Sequence, residues 1–434
     1  MAQRRKPDAF LVYMTLTIVA SLGTGIIWTV SMVYQIETVK MTPFELILVG
    51  TMMEVVAFFG QVPTGVLADL YSRRLAVIIG YLLMGVSYLL QALFPSFATM
   101  LLSQIPLSLG MVFVSGAEEA WISSEIGEKR AGQVFLRATQ WGGAGSLLAV
   151  PLSLFLANRF QLSTAIFGGA LILLALGLGL AFWMPETHFT PPPKEDRPGW
   201  QRFGQQMRAG GQAVLTNTML LCMLGTTLFW GLASEGFDRL QTDHFLKDFT
   251  LPQFWGMSPV TVIGLIGVSG TLLTLAATEL VERTVDTSQP QVVLRVLLGI
   301  QVVLMVAIVL FGLAGNFALA LLGFLVATVV RSVRIPLFNT WMIHMTDPSQ
   351  RATIFSFDGM VDPIGQIAGG PIVGVVTVQL SLRAAMVTVS LIMSPAIFFL
   401  ARALALSHRF NEMQTTQAQG SESREAASDA NRRA

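Results

Sequence analysis

Twelve stretches of this chain are apolar and long enough to cross a bilayer, and that repetition constrains the fold more than any other feature. They lie near 10–36, 43–67, 75–94, 97–124, 133–157, 163–184, 214–237, 258–281, 291–313, 317–340, 352–378 and 382–406. A hydrocarbon core about 30 Å thick takes roughly 20 helical residues, because each advances the axis by about 1.5 Å. Lipid offers no partner to a backbone N–H or C=O, so each run must satisfy its own as a helix. The expected class is an all-α membrane protein with twelve transmembrane helices. Composition agrees, since only 12% of residues are charged, about half the share of a soluble domain, and the charges gather between the runs. Arg4, Arg5 and Lys6 precede the first run in the manner of a signal peptide. That run is far longer than a signal core of about 7–15 residues, so it reads as an uncleaved span.

Charge placement orients the spans. With the N-terminal segment inside and alternation thereafter, one set of segments holds Arg4, Arg5, Lys6, Arg73, Arg74, Lys129, Arg130, Arg137, Lys194, Arg197, Arg202, Arg208, Arg283, Arg295, Arg351, Arg402 and Arg409. The other set holds only Lys40, Arg159, Arg239, Lys247 and Arg383. Basic residues are retained on the cytoplasmic side, so both termini are expected in the cytoplasm, across a bacterial or archaeal inner membrane.

The longest polar interruption, with Pro191, Pro192 and Pro193 followed by mixed charges, divides the runs six and six. The expected organisation is a six-helix bundle over 1–187, a cytoplasmic linker over 188–213, a second six-helix bundle over 214–406 and a disordered tail over 407–434. Equal halves invite a search for duplication. Gly23, Thr24 and Trp28 of the first run match Gly225, Thr226 and Trp230 of the seventh at the same spacing. Trp121, Arg130, Ala131 and Phe135 find similar counterparts in Trp341, Arg351, Ala352 and Phe355. Both matches fall at equivalent places in the two halves, which supports two bundles related by a pseudo-repeat.

Several function classes drop out. A net charge of +1 and the lack of a basic stripe among aromatics leave no basis for nucleic-acid binding. The single cysteine, Cys222, lies in an apolar run and excludes a disulfide framework. Four scattered histidines give no metal spacing, and neither a nucleophile elbow nor a phosphate-cradling loop occurs. No enzymatic activity, cofactor or metal is expected.

The stretch Gly65 to Leu75, reading GVLADLYSRRL, resembles the loop signature of the major facilitator superfamily. Gly65, Leu67, Ala68, Asp69, Arg73 and Arg74 fit it, while Leu70 stands where a basic residue is usual and Ser72 where a second glycine is usual. Pro185, Glu186 and Thr187 after the sixth run are similar to a common ending in that superfamily. The resemblance implies a two-bundle transporter with alternating access, and the unit is expected to be a monomer. It assigns Asp69 a contact with the start of the eleventh helix, and Arg73 a bridge to an acid at the end of the fourth, for which Glu125 is the best placed. Arg74 joins them at this gate. Subfamily marks are poorer: Pro106 stands before Gly110 where drug exporters often carry an arginine, and Gly142, Gly143, Gly145 and Pro151 do not reproduce their fifth-span signature. The string GQIAGGPIVG from Gly365 to Gly374 reads as close helix packing through small residues.

Ionisable groups within a span are costly and therefore candidates for function. Glu54 sits near the middle of the second run with Gln61 on the same helical face. A carboxylate in a partly dry cavity is suited to reversible protonation near neutral pH, so Glu54 leads for proton coupling, with Glu118 and Glu119 beside it. Thr24, Trp28, Ser31 and Gln35 in the first run, and Thr227, Trp230 and Ser234 in the seventh, recur at helical spacing as candidate solute anchors, together with Gln61. For either tryptophan taken alone packing is the commoner role, and their matched positions in the two halves favour cavity lining. Glu235 and Arg239 are spaced for an i,i+4 pair near the outer end of the seventh span, read first as a surface pair and second as part of an outer gate.

Two further sets carry the remaining charge: Glu118 and Glu119 with Arg137, and Arg331 and Arg334 with Asp358 and Asp362, Glu279 being a candidate to join the second. Each set is expected to pair internally, fourth helix with fifth and tenth with eleventh, because unpaired buried charge is costly. Static pairs and pairs that exchange during gating both remain open. Together these readings point to proton-driven export of hydrophobic or amphipathic small molecules. The rivals are a proton-coupled symporter for a sugar or other small metabolite, and a sensor that keeps the fold without transport. The expected partners are the solute, protons and the lipid bilayer.

Overall fold

The computed structural model of this chain describes residues 8–189, 204, 208, 211, 217–252, 256–346 and 351–407. Most of the expected linker, the tail, and Arg4, Arg5, Lys6, Lys194, Arg197, Arg202 and Arg409 lie outside the described residues, as do the side chains of Lys129 and Ala352.

Among the described residues twelve helices are long and apolar enough to span a membrane. In chain order they are Ala9–Thr38, Pro43–Gln61, Arg73–Leu93, Phe97–Ile126, Arg130–Arg159, Leu162–Trp183, Thr218–Asp248, Pro259–Thr284, Pro290–Leu313, Phe317–Met345, Ile354–Gln379 and Leu382–Ser407. An even number of spans returns the chain to its starting side. The face where the first begins and the twelfth ends is called here the terminal face, and the opposite one the far face.

Local chemistry sets the helix ends. Thr42 accepts from the Glu45 amide while Glu45 accepts from the Thr42 amide, a reciprocal cap on the second span, and Pro43 fills the first helical position, where no amide partner is needed. Ser72, Ser96, Asn217, Asn316 and Ser381 cap other spans through their side chains. The fourth span breaks at Gly116 and ends at Gly127, both at positive φ (77° and 85°), where a side chain would be strained. The seventh span runs eleven residues past the expected end at 237, to Asp248. The polar residues that suggested an end are folded into the helix because they pair along it, Glu235 with Arg239 and Asp243 with Lys247.

Spans one to six pack together, and seven to twelve pack together. The first leans on the fifth and sixth, the second on the fourth and the third on the sixth; the seventh on the eleventh and twelfth, the eighth on the tenth and the ninth on the twelfth repeat these pairings one bundle later. The repeat reaches single residues. Gly23 takes Ile172 and Leu173 of the sixth span against its backbone, and Gly225 takes Phe399 of the twelfth. Trp121 and Trp341 are both fully buried.

The bundles meet through their far halves. Gly370 and Gly374 of the eleventh span lie against Thr51, Ile47 and Phe44 of the second, while Gly365 and Gly369 press on the backbone of Leu228 and Leu232 in the seventh. Gly264 of the eighth span receives Leu154 of the fifth. At the far end Asn158 donates to Thr261 (2.9 Å) and accepts from Ser258 (2.5 Å). Small residues let these helix backbones approach, which is what packing without a hydrophobic driving force requires. The cleft between the bundles is thus closed at the far end.

Candidate functional site

The cleft has one apolar wall and one charged wall. A cavity of about 620 Å³ is lined by Trp28 and Thr29 of the first span, Ser146, Leu147 and Val150 of the fifth, Phe245 of the seventh, Ile263 and Gly267 of the eighth and Phe324 of the tenth. Through Gln241 and Phe324 it shares residues with a second hollow of about 340 Å³ bounded by Trp230, Phe237, Asp238, Thr328, Arg331 and Ser332. Trp28 is 61% exposed and donates to the Tyr88 hydroxyl at 3.0 Å, so its ring faces open space while its nitrogen is held. A large exposed indole tethered in this way suits contact with a mostly apolar solute.

Charge on the other wall is tightly organised. Asp238 takes Arg331 through both carboxylate oxygens, at 2.5 and 2.8 Å, a bidentate pair linking the seventh and tenth spans. The Arg331 guanidinium also sits over Trp230 (5.4 Å) and Phe237 (5.0 Å). One turn away, Arg334 stacks on Trp230 at 3.9 Å and on Phe338 at 4.7 Å. Asp358 accepts from the Thr227 hydroxyl, and Asp362 from Gln366 at 2.8 Å.

The expected basic-tenth, acidic-eleventh pairing therefore takes another form. Arg331 reaches the seventh span, and the two aspartates are held by neutral donors while acting on Arg334 through their charge. Glu279 pairs along its own helix with Arg283 at 2.5 Å.

Glu235 and Arg239 correct a second expectation. Their 2.8 Å pair is not on the surface: the side chains are 4% and 15% exposed and lie between the bundles. Gly50 of the second span makes room for them, since a Cβ there would overlap both the carboxylate and the guanidinium. Glu54 follows one turn further along the second span, within the electrostatic reach of Glu235, Asp362 and Arg239. It lines a groove of about 370 Å³ with Met53, Ala57, Gln61, Ser108 and Met111. A carboxylate from one bundle thus faces an acid–base pair from the other.

Other expected anchors sit elsewhere. Thr24 donates to the Ala20 carbonyl and Ser234 to that of Gly231, both along their own helix. Gln35 is buried, with its amide on Ser31 at 3.3 Å. Thr227 serves Asp358. Hydroxyls in a span commonly return to the preceding turn, so a polar stripe does not by itself make a cavity wall.

At the terminal face the signature loop is tied differently from the expected bridge. Arg73 donates to the Ala120 carbonyl (3.0 Å) and the Ser124 hydroxyl (2.5 Å). Glu125 instead caps the end of the first bundle, accepting from the Thr187 amide and hydroxyl (2.6 Å each) and the His188 amide (3.0 Å). Glu186 accepts from Ser72 (2.6 Å) and from the Arg74 amide (3.0 Å), and the Arg74 side chain donates to the Ala181 carbonyl (2.5 Å). Asp69, nearly half exposed, lies 3.8 Å from Arg73 of its own loop, where the expected contact was with the start of the eleventh span. Arg137 stacks on Phe10 at 5.8 Å, Glu118 accepts from Tyr81 at 3.0 Å and Glu119 is exposed, so the fourth and fifth spans do not form the expected ion pair.

Sequence reasoning passed over three features. Asp243 and His244 are fully buried; the spacing of Asp243 to Lys247 and of His244 to Asp248 signalled both pairs. Glu186 organises the signature loop, and only its proximity in space reveals this. Among the described residues no three His, Cys, Asp or Glu side chains are placed to hold a metal ion.

Residues 13–357 match the sequence profile of the Major Facilitator Superfamily. An uncharacterized MFS-type transporter, YxaM of Bacillus subtilis (strain 168), is 23% identical over 349 residues, 79% of this chain and 83% of that protein. Among solved structures, a point mutant of the nucleoside transporter NupG aligns over 92% of this chain and all of its own, with a TM-score of 0.71 at 17% identity. A POT family transporter aligns over 92% of this chain and 96% of its own, at 0.67 and 12%. A bacterial homolog of the human lysosomal transporter Spinster, in an inward-facing and unoccupied conformation, aligns over 92% and 95%, at 0.63 and 14%. These structural likenesses concern the fold.

Proposed function

The chain belongs to the major facilitator superfamily and is a multi-pass membrane transporter, not an enzyme, and on that premise we propose that it exports hydrophobic or amphipathic small molecules in exchange for protons. One observation carries this reading: a cavity of about 620 Å³ with apolar walls adjoins a hollow walled by the Asp238–Arg331 pair and Trp230. An apolar body with few polar anchors suits the first part and its polar end the second.

In this reading the terminal face is cytoplasmic, as the arginine distribution supports, and the far-closed cleft is the inward-open state of alternating access. Glu54 is the proton carrier. It lies in the second span opposite Glu235 and Arg239, so its charge bears directly on how the two bundles hold together at the far half. Asp69, Arg73 and Arg74 act at the cytoplasmic gate, where Arg73 holds the end of the fourth span in the open state. The unit is a monomer in the inner membrane.

The deciding experiment expresses the protein in cells lacking their main exporters and follows a lipophilic dye. Lower dye retention that a protonophore abolishes supports the reading; unchanged retention rejects it. A second reading, uptake of a polar metabolite by proton symport, draws on the ion pairs of the charged wall and on the likeness to NupG and the POT transporter. It requires inward accumulation of labelled solute driven by an acid-outside gradient.

A further inference from the structure

Proton coupling through Glu54 and the Glu235–Arg239 pair leaves the most deeply placed cation of the charged wall unused. Arg334 is 6% exposed, and its Nη2 is buried without a hydrogen-bond partner. Aromatic rings cover its guanidinium plane, Trp230 at 3.9 Å and Phe338 at 4.7 Å, so hydrogen bonding is left to its edge. The nearest acids do not use that edge. Thr227 serves Asp358, Gln366 serves Asp362, and the Asp362 Oδ1 is itself buried without a partner. Arg331, one turn away, is by contrast held bidentately by Asp238.

A buried guanidinium with an open edge is costly unless something completes it, and planar bidentate acceptors fit it best. Trp230 connects it to the solute path, since the same ring lines the hollow beside the cavity. We propose that Arg334 is the specificity-determining anchor for a carboxylate on the transported solute, and that the solute class is amphipathic organic acids. The apolar body lies along Trp28, Leu147, Val150 and Phe324, and the carboxylate reaches past the edge of Trp230 to Nη2. Asp358 and Asp362 lie within electrostatic reach of the arginine while their hydrogen bonds go to Thr227 and Gln366. This assignment rests on the cleft being the solute site, but not on the direction or the coupling of transport.

The test uses the full chain in lipid nanodiscs and three probes that share one apolar body: 4-phenylbutyrate, 4-phenylbutanamide and 4-phenylbutylamine. Binding is read from tryptophan fluorescence at fixed pH. The expected result is a Kd for the acid at least tenfold below those of the amide and the amine. Arg334→Gln should abolish that preference while leaving amide binding within about threefold. Arg334→Lys, which keeps the charge but not the planar edge, should retain a reduced preference and covers the case in which the glutamine variant does not fold. An acid that binds no better than its amide to the unaltered protein overturns the assignment, and so does a preference that survives Arg334→Gln or is undiminished in Arg334→Lys. No proton gradient enters this measurement, so its failure strikes the solute class alone, whereas protonophore-insensitive dye export strikes the coupling alone.

Discussion

Glu235 in the seventh span rests against Gly50 in the second so closely that any side chain at position 50 would overlap its carboxylate. A buried ion pair of one bundle is thereby received in a notch of the other. Gly370 and Gly374 in the eleventh span continue the same close approach toward the far face. The far-closed state accordingly depends on backbone contact, which tolerates little added volume.

Gly50→Ala is therefore expected to weaken far-side closure. Overpacking a tight contact costs about 1–3 kcal/mol. The expected outcome is a lower thermal midpoint together with faster labelling, from the far side, of a cysteine placed at Gln241. Cys222 is buried and leaves a low background. Unchanged labelling would mean that the notch does not control closure. Asn158→Ala, which removes the Ser258 and Thr261 contacts at the far end, should act in the same direction with a smaller effect.

Glu54→Gln keeps the side-chain volume and removes the charge facing Glu235 and Arg239. On the proposed reading, transport driven by a proton gradient falls at least tenfold, while solute exchange without a gradient persists. The remaining activity should show a flat response between pH 6 and 8. If gradient-driven transport and its pH response survive this substitution, the proton carrier is elsewhere.

Asp238→Asn leaves Arg331, 17% exposed, with half of a bidentate partner. A part-buried charge stripped of its counter-ion loses about 1–3 kcal/mol. Thermal unfolding in detergent should show a clear drop. The double change Asp238→Asn with Arg331→Gln should recover part of it, since both charges then leave together. Additive losses would show that the two side chains act separately.

Arg137 and Glu118 are natural partners in sequence, but Phe10 and Tyr81 occupy them in space. Exchanging their charges in Arg137→Asp with Glu118→Arg is expected to give no rescue over the single changes. A recovery of activity in the double variant would reveal a second conformation in which the two helices pair.

Much of this fold is legible in the sequence, because lipid imposes a one-dimensional rule. Run length sets the spans, and matched tryptophans such as Trp28 and Trp230 betray the repeat. The site was legible only in part. Spacing along a helix correctly coupled Glu235 to Arg239, yet it could not say that the pair is buried, since burial depends on Gly50 of another helix. Thr24, Gln35 and Ser234 share a periodicity with Trp28 and Trp230, but their hydrogen bonds close within their own helix.

By itself the sequence determined twelve spans, two equal halves and the set of charges that must be accommodated in a low-dielectric interior. Each of these follows from the local cost of exposing backbone or charge to lipid. Only the tertiary structure decided the partners: Arg331 with Asp238, Glu125 with Thr187 and His188, and Arg334 with two aromatic rings. An ion pair between helices is fixed by the rotation and depth of each helix, and those are set by glycine contacts and packed rings far apart in the chain.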